Sequence, residues 1–227
     1  MTLQIGMLLF PQITQLDLTG PFELLHRVPD SAVHLVWKDT APVVAASGLR
    51  IVPTTTLKDC PPLDVLLVPG GPGTADLLTD SEVTDWVAAQ GRGARYVTSV
   101  CTGSLVLGAA GLLEGHDATT HWAYTDILPL FGARYLRRRI VVDRNRITAG
   151  GVTAGIDFGL TLVAELAGEA TAQAIQLGLE YDPEPPFRCG HPDVAPAALV
   201  ERVRAVMAPR VDAQRSKARE WAARARS

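Results

Sequence analysis

The sequence predicts an α/β protein built on a mainly parallel sheet covered by helices on both faces, and three observations carry that expectation. Short apolar runs alternate with helical stretches through the N-terminal half, the pattern of a doubly covered parallel sheet. The strand-like run Asp64 to Val68 ends in the loop Pro69-Gly70-Gly71-Pro72-Gly73. A second run, Arg95 to Val100, passes through Cys101 straight into a helical stretch. Both breaks fall at the carboxyl edge of the sheet, where open α/β sheets bind ligands.

Taken in order, Ile5 to Phe10 reads as the first buried strand. After a loop from Pro11 to Leu18, Thr19 can cap a helix through Leu25 with Pro21 in its first turn. Val33 to Trp37 is a second strand, and Val43 to Pro53, broken at Ser47-Gly48, a hairpin beside the sheet. Asp80 or Ser81 starts a helix through Ala89. The helical run behind Cys101 extends to Ala110. Arg134 to Val142 and Arg146 to Ala149 pair as strands across Asp143-Arg144-Asn145. Thr153 caps a helix to about Leu166, and Ala170 to Leu179 gives another. Five of the sixteen prolines lie between Glu180 and Pro196, which makes that segment irregular. The expected organisation is one α/β domain over residues 1–196 and a helical extension over 197–227, broken at Pro209 and solvated.

Composition narrows the function classes. A net charge of −3 gives no electrostatic reason to bind nucleic acid or an anionic membrane. The eight Arg/Lys against three Asp/Glu after residue 200 fit a solvated helix face. No apolar run is long enough to span a bilayer, and the N-terminus reads as a strand, not a secretory leader. Cys60, Cys101 and Cys189 are odd in number and widely spaced, which suits free thiols in a reducing cytoplasm and not a zinc site.

Cys101 is the candidate nucleophile. A strand-to-helix elbow projects its apex side chain beyond the strand ends and sets the first helical N–H groups beside the sulfur, which should lower the thiol pKa. A small buried cysteine would otherwise be the ordinary reading. The amides of Gly70 and Gly71, sharing that edge, can bind charge developing on a substrate. Asp17, just past the first strand, is placed to pass a proton to or from the sulfur, with a pKa raised by burial; a loop aspartate bonded to backbone near Thr19 fits the same residues. Glu23 is a second carboxylate candidate. His121, in Ala118-Thr-Thr-His-Trp122, is the best placed histidine, as a base for the thiol or as a wall of the pocket.

Together the segments Asp17-Leu-Thr-Gly-Pro-Phe-Glu23, Val68-Pro-Gly-Gly71, Ser99-Val-Cys-Thr-Gly103, Thr119-Thr-His-Trp122 and Gly150 to Phe158 resemble the ThiJ/PfpI superfamily. The resemblance implies a three-layer flavodoxin-like sandwich of the class I glutamine amidotransferase type, and a homodimer. Peptidase-like members of that superfamily have histidine after the nucleophile; here Thr102 follows Cys101, which disfavours proteolysis. The tracts Tyr96 to Leu113 and Ala118 to Tyr124, with the prolines near Tyr181 and Phe187, are similar to members that hydrate isonitriles. That similarity implies Asp17, Cys101 and Thr102 as the catalytic set, with Gly70, Gly71, His121 and Trp122 around a small-molecule substrate. It needs no organic cofactor, and no metal-ligand cluster is visible in the sequence. Glyoxalase or deglycase action on reactive dicarbonyls, a ligand-sensing module like those of AraC-type regulators, and a redox-responsive protein remain the alternatives.

Overall fold

The computed structural model describes residues 2–224. The chain opens with β1 (Leu3–Leu8), α1 (Gln15–Leu25), β2 (Ser31–Trp37), β3 (Val43–Val44), β4 (Arg50–Ile51) and β5 (Thr55–Thr56). It continues through β6 (Val65–Val68), α2 (Thr74–Leu77), α3 (Ser81–Gly93), β7 (Tyr96–Val100) and α4 (Gly103–Ala109). β8 (Asp117–Ala118), two 3₁₀ turns at Trp122–Tyr124 and Leu128–Phe131, β9 (Arg134–Tyr135), β10 (Ile140–Asp143) and β11 (Arg146–Ala149) follow. Three helices close it: α5 (Ala154–Ala167), α6 (Glu169–Gly178) and α7 (Ala197–Arg224).

Seven strands form one sheet in the order β10-β11-β7-β6-β1-β2-β5. Every neighbouring pair is parallel except β10 with β11. β6 is buried along its whole length, as a strand covered on both faces must be. One group of helices, α1, α5 and α6, packs together, and α2, α3, α4 and α7 form the other. This is the flavodoxin-like α/β sandwich expected. The hairpin around Ser47-Gly48 is present as the β3–β4 ribbon. Among the described residues no helix is long and apolar enough to cross a membrane.

Sheet order places the functional edge. From β1 the chain steps to β2 on one side, and β6 returns on the other. The crevice beyond the carboxyl ends of β1 and β6 is therefore the topological switch point, with the end of β7 beside it. Small residues draw α1 down toward this edge: a Cβ on Gly159 of α5 would lie 2.4 Å from Leu24 Cδ1, and one on Gly155 would lie 3.3 Å from the Pro21 ring.

Four expectations are corrected. α1 begins at Gln15, not after Thr19, so Asp17 sits in its first turn and not in a loop. Pro21 lies inside this helix, where it removes only the bond to the Asp17 carbonyl; packing against α5 outweighs that loss. Arg134 to Val142 is two short strands, of which β9 pairs with β8 and only β10 with β11. The third concerns Pro209: α7 runs unbroken through it, because the helix is docked on the body and tertiary contact offsets the missing bond. For the same reason it is not a solvated extension: Val211, Gln214, Ala218 and Ala222 are buried, and Trp221 Nε1 donates to Ala109 O at 3.0 Å while its ring meets Phe131.

Candidate active site

Cys101 occupies the apex between β7 and α4 with φ of 56°, the left-handed region that a side chain enters only under strain. Four hydrogen bonds over-determine it. Its N–H donates to Ala149 O and Gly150 O at 3.0 and 2.8 Å. Its carbonyl accepts from Ser104 Oγ at 3.1 Å and Thr120 Oγ1 at 3.0 Å. Gly103 is what lets the elbow close, since a Cβ there would sit 1.9 Å from Val68 O. The side chain is 6% exposed.

Asp17 is fully buried and reaches across the switch point from α1. Its Oδ2 accepts from the Gly70 N–H at 3.0 Å, while Oδ1 has no hydrogen-bond partner. The absent side chain of Gly70 is what brings the groups together. A Cβ there would meet Thr102 N at 2.6 Å and Asp17 Oδ2 and Cys101 Cβ each at 2.8 Å. Burial pushes the Asp17 carboxyl up to about 7, against the pull of the Gly70 amide and the Cys101 thiol.

The thiol does not follow the sequence expectation. Burial first, and then the neighbouring Asp17 carboxylate, push Cys101 up and not down. The Thr102 amide and hydroxyl favour the anion but are outweighed, because α4 is a seven-residue helix and the sulfur is out of water. Carboxyl and thiol thus share one proton: losing the first is easy near neutrality, losing the second is resisted by like charge in a dry site.

Thr102 is also buried, at 2% exposure, and its Oγ1 accepts from the Gly71 N–H at 3.0 Å. The two loop amides expected to face a substrate are therefore engaged inside the protein, Gly70 with the carboxylate and Gly71 with the hydroxyl. Gly71, with φ of 144°, has a backbone only glycine adopts freely.

A cavity of about 460 Å³ opens beside the elbow. Thr120 and Gly150, which line it, are the residues bonded to the Cys101 backbone, so its floor there rests on the backbone of the elbow, while Cys101, Asp17 and Thr102 do not line it. His121 and Trp122 form part of the wall, with Arg138 and His191. His121 Nδ1 accepts from the Ala123 N–H at 3.2 Å, and burial lowers its pKa to about 4. It is a neutral wall residue whose acceptor nitrogen is already used, and not a base for the thiol. Tyr124, whose pKa is raised by burial and then by the field of Cys101, is a neighbour that sequence reasoning missed. Thr74, Thr120 and Gln214 were missed as well. Glu23 stands apart, exposed and paired with Arg27 at 2.6 Å.

A family model described as the DJ-1/PfpI family matches residues 4–165. The chain belongs to the DJ-1/PfpI family. Within it, the chain is 59% identical over 209 residues to the isonitrile hydratase of Pseudomonas putida, covering 92% of each chain. It is 33% identical to the HTH-type transcriptional regulator GbdR of Pseudomonas aeruginosa, but spans only 50% of that protein. The crystal structure of a ThiJ/PfpI family protein from Pseudomonas syringae superposes with a TM-score of 0.94 at 44% identity, covering 96% of this chain and 91% of the other. The fold of that ThiJ/PfpI family protein is thus shared along nearly the whole chain.

Proposed function

We propose that this protein is an enzyme that hydrates isonitriles, R–N≡C, to N-substituted formamides, with Cys101 as nucleophile, Asp17 as proton carrier and Thr102 as the hydroxyl that steadies the sulfur. The observation that carries the reading is the meeting of the Asp17 and Cys101 side chains around the bare Gly70 backbone, with the Thr102 hydroxyl bonded to the neighbouring Gly71 amide and Thr102, not histidine, following the cysteine. The likeness to the P. putida isonitrile hydratase supports the substrate class. The burial of Cys101 fits it too: an isonitrile presents its reacting carbon at the tip of a slim linear group, with R held in the cavity against Trp122 and His121.

The chemistry balances with the pair's single proton. Ionised Asp17 takes the thiol proton as sulfur bonds to the terminal carbon, and returns it to that carbon, leaving the thioimidate Cys–S–CH=N–R. Water then adds to the same carbon, one of its protons passing through Asp17 to nitrogen. The C–S bond breaks with the electron pair returning to sulfur, the hydroxyl proton goes back through Asp17 to the sulfur, and R–NH–CHO departs. The amides of Gly70 and Gly71 act by positioning Asp17 and Thr102.

Purified protein incubated with cyclohexyl isocyanide should yield the formamide, and Cys101→Ala should not. A parallel incubation with methylglyoxal tests dicarbonyl chemistry: turnover there and none with isonitriles would overturn the reading. We further propose a homodimer, to be measured by light scattering, and a reducing cytoplasmic setting, which the free thiols of Cys60, Cys101 and Cys189 suit.

A further inference from the structure

We infer that the cavity beside the elbow seats a carboxylate, so that the preferred isonitriles of this protein carry an anionic carboxylate on R. The inference deepens the proposed activity and rests on it, because that reading puts R in the cavity. The lining residues include three arginines, Arg137, Arg138 and Arg139, against one carboxylate, Asp193, in a chain whose net charge is −3. Two of the three are already engaged, Arg137 with Asp193 and Arg139 with Asp157. The Arg138 side chain has no ion-pair or hydrogen-bond partner among the described residues. Its planar guanidinium can take both oxygens of a carboxylate at once.

The backbone lining the cavity shows the same imbalance. The carbonyls of Gly150, Gly151, Val152 and Thr153 each accept a bond within the chain, from Cys101, Ala154, Gly155 and Ile156. The N–H groups of Gly151, Val152 and Thr153 donate to no protein group among the described residues. They stand ahead of α5, a helix of 14 residues whose dipole adds positive potential there. Thr119 is an independent pointer. It is 2% exposed and lines the same cavity, yet its hydroxyl has no hydrogen-bond partner among the described residues. A buried hydroxyl left so is costly until a ligand or water completes it. His121 adds one more donor. Its Nδ1 accepts from the Ala123 N–H, so its proton sits on Nε2, 3.6 Å from where a Cβ on Gly151 would lie. Acceptors along this lining are engaged and donors are left over, which suits an anion and neither a cation nor a plain hydrocarbon.

The test measures kcat/KM for a series of isocyano carboxylates, from isocyanoacetate to isocyanohexanoate, each beside its neutral primary carboxamide. The best acid should exceed its carboxamide about tenfold, through KM, and raising salt should shrink that preference. Arg138→Gln should bring the ratio of acid to carboxamide close to one, and Arg138→Lys should keep part of it. Thr119→Val should lower the ratio severalfold. Arg50→Gln, which removes an equal charge from β4 outside the cavity, should leave the ratio where it was. Calorimetry with the corresponding formamido carboxylates and formamido carboxamides reads the same preference without turnover. If no acid outperforms its carboxamide, or if Arg50→Gln erases the preference as fully as Arg138→Gln does, the inference falls while the activity reading stands. If no isonitrile is hydrated, yet formamido carboxylates bind in an Arg138-dependent way, the activity reading falls and the carboxylate seat stands.

Discussion

The two sides of the cavity floor are built on opposite principles. Behind it, Asp17, Cys101 and Thr102 are buried, bonded to backbone amides and, at Cys101, strained. In front of it, Arg137 and Arg139 are exposed side chains, ion-paired to Asp193 and Asp157, and Arg138 beside them is exposed too. The reacting side has one geometry because each group is held by chain that cannot relax. The recognising side tolerates change. Substitutions behind the floor should therefore act on kcat, and those in front on KM.

The largest effect is expected at the elbow. Cys101→Ala should lose all measurable formamide production, and residual turnover at the unaltered rate would break the comparison outright. Cys101→Gly should be equally inactive yet more stable than the alanine variant by about 1 kcal/mol in a denaturant titration, since glycine carries no penalty at φ of 56°.

Asp17→Asn should follow, with turnover reduced about 10²–10⁴-fold. Activity of the unaltered protein should rise as pH climbs through about 7, where Asp17 ionises, and the variant should lack that limb. Stability carries the opposite sign. Because the folded pKa lies above the unfolded one, the native state holds the proton more tightly, so Asp17 withdraws stability as pH rises from 3.8 to about 7. Above neutrality Asp17→Asn should be the more stable protein, on the order of a few kcal/mol. Melting curves across pH would show it, and parallel curves for both proteins would contradict the buried-carboxyl account.

Gly70→Ala sharpens the argument about crowding. Its Cβ would fall 2.8 Å from both Asp17 Oδ2 and Cys101 Cβ, and displacing them should cut kcat about 10²-fold with the fold retained by circular dichroism. Trp122→Ala, across the floor, should have the smallest effect: KM for a bulky isonitrile about tenfold higher through lost apolar contact, with kcat unchanged. A fall in kcat there would erase the distinction between the two sides.

Much of this was legible before any coordinates. The β6 loop, the β7 elbow and the first strand each carry a local signal, a run of apolar residues ended by glycine or by Cys101, and those signals sufficed for a covered parallel sheet with Asp17 and Cys101 at one edge; the type of sandwich and the role expected of Thr102 came only through the family resemblance. Local reasoning failed where distant contact decided the outcome. Pro21 read as a first-turn residue and Pro209 as a break, but both lie in the interior of α1 and α7, because each helix is docked on the body. The cysteine context suggested an acidic thiol, whereas burial and a carboxylate brought from another helix raise it. Gln214 carried no signal at all, being one glutamine in a polar helix.

The chain by itself determined which residue types stand at the ends of which strands, since strand and helix periodicity and glycine turns act over a few residues. Tertiary structure alone decided the proton chemistry. The pKa of Asp17, the direction of the Cys101 shift and the partners of Thr102 depend on how much water is excluded and on which groups arrive from 50 to 140 residues away. Desolvation and field are properties of assembled space, and no window of sequence contains them.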